Sequence, residues 1–310
     1  MADVGDNNFI RYIYWGEEGE IIPREATHIT VSEYCTFVRV EGFFLHPNIV
    51  EVICHNGVKK IGERAFCGCS NLRRVIMPGV KIVENAACGH CNALMDVECG
   101  KLEIIGKRAF DNCRSLKSIN LPSAIIVDEN AFSHSALTNV KFGSKLERFE
   151  GSAFYYCESL ERITIPLKDG MITADNIFTK CEKLTRVDLV EGELDETVAA
   201  LHFKGWKNDM SAEIDSINQI LPTSKSGGWD FVWGDDEGEM ALAIRRWIRS
   251  VIGKIIHYRT EHERLLNETA TTLQLVLPHD DILTNSVLPF LELPAHAFEV
   301  EYLEEGENEG

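Results

Sequence analysis

From residue 43 to residue 190 the apolar positions recur over a span far longer than a helical turn or a strand pleat. Ile61-Gly62-Glu63-Arg64-Ala65-Phe66 is followed by Cys69, Leu72, Val75, Met77 and Pro78. The unit reads I-G-x-x-A-F-x-x-C-x-x-L-x-x-I-x-L-P. A second copy runs through Ile105-Gly106, Ala109-Phe110, Cys113, Leu116, Ile119 and Leu121-Pro122. A third runs through Phe149, Ala153-Phe154, Cys157, Leu160, Ile163 and Ile165-Pro166. The Phe position falls at Phe43, Phe66, Cys88, Phe110, Phe132, Phe154 and Phe178, in steps of 23, 22, 22, 22, 22 and 24 residues. Some copies are worn. Cys88 stands for Phe and Gly100 for Pro in one; Ser135 stands for Cys in another, which is one residue short before Leu137.

A unit of this length cannot bury its own apolar side chains, so copies must stack to share one core. L-x-x-I-x-L predicts a short strand with alternate residues inward. The following Pro lacks an N–H and ends the pairing. Gly62 and Gly106 suit a tight turn. If the first, fourth and sixth positions of the strand motif point inward, the third and fifth point out. The outward pairs are Glu51/Ile53, Arg74/Ile76, Asp96/Glu98, Ser118/Asn120, Asn139/Lys141, Arg162/Thr164 and Arg186/Asp188. Arg74 and Ile76 are expected to face a partner, as are Arg162 and Arg186, because arginine is a preferred interface anchor. An ordinary solvated sheet surface is the competing reading.

Outside the array the period changes. Phe9 to Trp15 alternates, Gly16-Glu17-Glu18-Gly19 is turn-like, and Glu20-Ile21-Ile22-Pro23 follows. This predicts a β-hairpin over residues 1–28 that caps the first rung. The solenoid is expected over 29–190 and a helical region over 191–298. Leu194 to Phe203 is a helix candidate with Asp195 as N-cap, and Trp206, Met210, Ile214, Ile217 and Leu221 form a helical stripe ending at Pro222. A long helix is predicted over 239–276, with a heptad seam at Ile244, Ile248, Val251, Ile255, Tyr258, His262, Leu265 and Thr269. A short helix over 280–291 and an acidic tail over 299–310 complete the chain. Trp229, Phe231 and Trp233 lie in an acidic, Gly-flanked loop. They either dock a partner or seal the fold.

The repeated Ile-Gly-x-x-Ala-Phe and strand-Pro signature resembles the leucine-rich repeat of the BspA-like, bacterial surface antigen type. The resemblance covers roughly residues 29–190. It implies an α/β fold: a leucine-rich-repeat solenoid (horseshoe) with an N-terminal β-hairpin cap and a C-terminal α-helical region. It also implies a recognition scaffold, and leaves the ligand open.

Composition narrows the function further. The formal net charge of −18 disfavours nucleic acid and anionic membranes as partners. No apolar run is long enough for a membrane span, and the acidic start Met1-Ala2-Asp3-Val4-Gly5-Asp6 does not read as a secretion signal. A cytoplasmic location is the expectation. Cys67-x-Cys69 and Cys88-Gly-His90-Cys91 look like metal-ligand runs. The repeat register puts Cys69, Cys91, Cys113, Cys157 and Cys181 at one inward position, so they read as buried thiols with no metal. His257 and His262 lack the spacing of paired helical ligands. Arg245-Arg246-Trp247-Ile248-Arg249 reads as a solvated face before a membrane anchor, and Asn267-Glu268-Thr269 as an accidental sequon. No catalytic constellation, phosphate loop or cofactor motif is present.

The function expected is therefore a non-catalytic protein-interaction scaffold with a protein partner of unknown identity. The strand face would carry the contact: Arg74, Ile76, Asp96, Glu98, Asn120, Asn139, Lys141, Arg162, Arg186 and Asp188. Alternatives are a self-assembling module, dimeric through the long helix, and a carbohydrate-binding or adhesive surface protein.

Overall fold

The computed structural model describes residues 9–201, 203–222 and 238–276. Trp229, Phe231 and Trp233, the helix expected over 280–291 and the acidic tail lie outside the described residues. In chain order the strands are β1 (Arg11–Tyr14), β2 (His28–Val31), β3 (Phe37–Val38), β4 (Glu51–Ile53), β5 (Lys60–Ile61), β6 (Arg74–Ile76), β7 (Ile82–Val83) and β8 (Asp96–Glu98). They continue with β9 (Ile104–Ile105), β10 (Ser118–Leu121), β11 (Ile126–Val127), β12 (Asn139–Phe142), β13 (Arg148–Phe149), β14 (Arg162–Ile165) and β15 (Arg186–Leu189). Helices α1 (Glu193–Ala200), α2 (Lys204–Ile220) and α3 (Glu239–Val276) follow. The chain forms two compact units: Met1–Val190 with Asp215–Ser250, and Glu191–Ile214 with Val251–Gly310.

The first unit is the solenoid. Its L-x-x-I-x-L segments form parallel strands in the orders β1-β2-β4-β6-β8 and β10-β12-β14-β15. A second parallel sheet, β13-β11-β9-β7-β5-β3, is built from two-residue strands. The third side is the Ala-Phe turn. There alternate N–H groups point to the next rung: Phe66 donates to the Ala87 carbonyl at 2.7 Å and Gly68 to Gly89 at 2.9 Å. This alternation needs left-handed residues, and non-glycine side chains occupy them, as at Arg64 (φ 51°) and Arg108 (φ 54°). Most rungs are therefore hydrogen-bonded to their neighbours on three sides.

The hairpin expected at the N-terminus is not formed. β1 pairs in parallel with β2, Arg11 opposite His28 and Tyr14 opposite Val31, so it is itself a rung. The Glu20 carboxylate accepts N–H groups of Trp15 (2.9 Å), Gly16 (2.7 Å) and Glu17 (3.2 Å). That carboxylate folds residues 15–20 into a turn, and 21–23 do not return as a strand. Gly62 and Gly106 also serve a different purpose from the one expected. Neither has positive φ. Instead a Cβ at Gly62 would lie 2.7 Å from the Val38 carbonyl oxygen, and one at Gly106 2.7 Å from that of Val83. Glycine is there because the backbone of the preceding rung approaches closely.

The core is layered. Tyr14 lies 4.8 Å from Phe43, which stacks on Phe66 at 5.2 Å. Phe110, Phe132, Phe154 and Phe178 stack at 5.5, 5.4 and 5.6 Å between ring centroids. Cys88 separates the two stacks, and the strand sheet breaks at the same worn copy, between β8 and β10. The repeated cysteines are buried as expected. They also cap backbone: Cys69 donates to the Phe43 carbonyl at 3.0 Å, Cys91 to Phe66 at 3.1 Å and Cys181 to Phe154 at 3.1 Å. Burial pushes the thiols of Cys54, Cys69 and Cys99 up to about 12. All ten cysteines are free, and Cys67 is the one of them that is not buried. Alkylation of the native protein should therefore label Cys67 alone, with the other nine slower by about 100-fold or more. Peptide mapping after a timed pulse checks this; several labelled sites in the native protein would contradict it.

The solenoid unit ends on helix residues. Asn218 of α2 accepts the Val187 N–H with its side-chain oxygen at 2.9 Å, and Arg249 of α3 pairs with Asp169 at 3.2 Å. Arg245 pairs with Asp175. The run Arg245–Arg249 thus belongs to the closure of the array, and Ile244, Trp247 and Ile248 are buried. In the second unit, Trp206 stacks on Tyr258 at 5.1 Å, and Asp209 accepts from Tyr258 and Lys254. Burial, then the Asp209 carboxylate, push the Tyr258 phenol up to about 12. α1 starts from Gly192 with no side-chain cap, so Asp195 lies within the first turn instead of capping it. No helix among the described residues is long and apolar enough to cross a membrane.

Candidate functional site

The period-2 pattern of each strand divides its residues between core and outer face, and stacking aligns the outer residues into two columns. Parallel register puts Glu51, Arg74 and Asp96 side by side, with Ile53, Ile76 and Glu98 as the second column. Farther along, Ser118 and Asn139 align, as do Asn120 and Lys141. Asn139, Arg162 and Arg186 continue the first column, and Lys141, Thr164 and Asp188 the second. Adjacent rungs lie about 4.8 Å apart, within reach of long side chains.

The two ends of this face are ion-paired. Arg74 lies 2.9 Å from Asp96 and 3.7 Å from Glu51, and also pairs with Glu98. Arg162 pairs with Asp188, which Arg186 meets at 3.0 Å. Both clusters use the same diagonal, from an arginine in the first column to an acid in the second column of the next rung. Beneath these arms Ile76 is only half exposed, and Thr164 is buried. Thr164 was expected to face out. It is short, and Lys141 and Asp188 stand on either side of it in register while Arg162 reaches past it to Asp188. Sequence reasoning placed the arginines on this face but missed the carboxylate partners of Arg74 and Arg162, which sit 22 to 26 residues away and become neighbours only through stacking.

Between the clusters the face is different. Ser118 and Asn120 on β10 and Asn139 and Lys141 on β12 are exposed. Their side chains engage no other described residue. Among the described residues the face thus has an open polar centre four side chains wide, flanked by two clusters whose charges already have partners. The arrangement offers amide, hydroxyl and ammonium groups for surface recognition, and no nucleophile–base pair lies on it. Among the described residues no three His, Cys, Asp or Glu side chains are grouped so as to hold a metal ion.

Comparison with known proteins agrees with this architecture. The family described as BspA type Leucine rich repeat region matches in six copies, over residues 24–102 and 81–198. A leucine-rich repeat protein from Bacteroides ovatus is similar at 21% identity over 55% of this chain, with a TM-score of 0.46. The match spans 47% of that protein, about half its length. The leucine-rich repeat protein of T. pallidum is 20% identical over 64% of this chain and 91% of its own, with a TM-score of 0.36. No curated protein matches the chain. With six repeat copies over more than half of its length, the chain belongs to the BspA-type leucine-rich repeat family.

Proposed function

We propose that the chain is a non-catalytic interaction scaffold that binds a protein partner on the strand face, centred on β10 and β12. The open polar centre carries this reading. Polar groups already paired within the chain must give up those pairs to meet a partner, whereas groups that engage no described residue need only exchange water for it. Stacked rungs keep the surface rigid. The net charge of −18 favours a protein over nucleic acid. The ten free cysteines favour a reducing, cytoplasmic compartment. Self-assembly through the α3 seam is the weaker reading, because Ile244, Ile248, Val251, Tyr258 and His262 are already buried within the chain.

The test is affinity capture from the native cell with wild type and with the Asn120→Arg/Lys141→Glu double variant. Both positions are exposed, so the variant should keep the wild-type melting temperature. The expected result is at least tenfold less of the partner that wild type retains. Equal retention of that partner by a folded double variant rules out this face.

A further inference from the structure

The two ends of the solenoid are finished differently. At the C-terminal end, Asn218 occupies the Val187 N–H of the last strand. At the N-terminal end, β1 is the edge strand of its sheet. The carbonyls of Ile10 and Tyr14 accept N–H groups from residues 27, 28 and 32 and so face β2. Strand alternation then turns the N–H and C=O groups of Arg11 and Ile13 to the edge that no described strand pairs. Proteins blunt such edges with charge, proline or cover. Here the surroundings are apolar: Phe9 is 65% exposed, Ile13 51%, Trp15 50% and Ile21 86%. Tyr34 and Phe37 are also exposed. A rung that meets only water carries a polar outer surface, and the first described rung does not.

We infer that β1 is the contact surface for a second copy of this chain, paired edge to edge about a two-fold axis at Ile13. Two-fold pairing of identical strands is necessarily antiparallel. With Ile13 opposite itself, Arg11 of each copy faces Trp15 of the other. The Ile13 N–H donates to the Ile13 carbonyl across the axis in both directions, and the Arg11 N–H donates to the Trp15 carbonyl. The Trp15 N–H is held by Glu20 and stays out of the ladder. The same register sets the Arg11 guanidinium on the exposed indole of Trp15, so the strand is complementary to itself. Phe9, Ile13 and Trp15, on or next to β1, offer on the order of 350 Å² of apolar surface per copy, which with the strand backbone is the scale of a weak, transient interface.

Light scattering coupled to size exclusion, on the full chain up to about 100 µM, tests this. The expected mass is twice the 34.9 kDa of the chain. Arg11→Glu should weaken the dimer at least tenfold. Ile13→Lys should give a folded monomer with an unchanged circular dichroism spectrum. A wild-type protein that stays at 34.9 kDa throughout overturns the inference. So does a dimer that Arg11→Glu and Ile13→Lys both leave intact, as pairing through α3 would.

Discussion

Replacing Phe132 by alanine is expected to destabilise the solenoid by about 3–5 kcal/mol. Phe132 is fully buried and stacked on both sides, 5.5 Å from Phe110 and 5.4 Å from Phe154. Its removal deletes a large apolar side chain and leaves a gap between rungs. The rungs cannot close over that gap, because their spacing is set by hydrogen bonds on all three sides. At about 2–4 °C per kcal/mol for a unit of this size, the melting temperature should fall by roughly 10 °C. A fall of no more than 2 °C or so would mean that the ladder contributes little. The wild-type chain holds one tolerated break, at Cys88. A second break at 132 would leave only short aromatic stacks, and thermal unfolding should lose cooperativity as well as midpoint.

The second large effect is expected at a glycine. A Cβ at Gly143 would sit 2.1 Å from the Pro122 carbonyl oxygen, and one at Gly79 2.1 Å from that of Asn56. Neither glycine has positive φ, so the conflict is one of space between rungs. The obstructing atom is backbone and cannot rotate away. Gly143→Ala must therefore part β10 from β12 and should cost about 2–3 kcal/mol, more than alanine replacement at an ordinary surface position. Gly100, where nothing lies within 4 Å of the added Cβ, is the matched control. Gly100→Ala should be within about 0.5 kcal/mol of wild type. Denaturant melts of the two variants decide this, and equal midpoints would contradict it.

The parts of this fold legible in the sequence are those written with a period. The Phe step of about 22 residues located the rungs, and strand alternation assigned inward and outward residues correctly at nearly every rung. The heptad spacing placed α3 at 239–276, where it lies. What the sequence left out has no period of its own. Two-residue strands such as Lys60–Ile61 are too short to show alternation, so the second sheet was invisible. Alternation in Arg11–Tyr14 signalled a strand but could not name its partner, and the turn held by Glu20 removed the hairpin. The open centre at Ser118, Asn120, Asn139 and Lys141 was likewise hidden. It is defined by which charges find a partner on a neighbouring rung, and that depends on stacking register. Arg74 and Arg162 looked like the strongest anchors in the sequence, and both are already engaged.

The claim at the centre of this account is that recognition occurs on the strand face at β10–β12. A photo-crosslinking residue placed at Asn120, and in a second protein at Lys81 beside the two-residue sheet, tests it most directly in native-cell extract. The account predicts a discrete protein adduct from position 120 and none from position 81. Adducts from position 81 alone, or equal adducts from both, would contradict it.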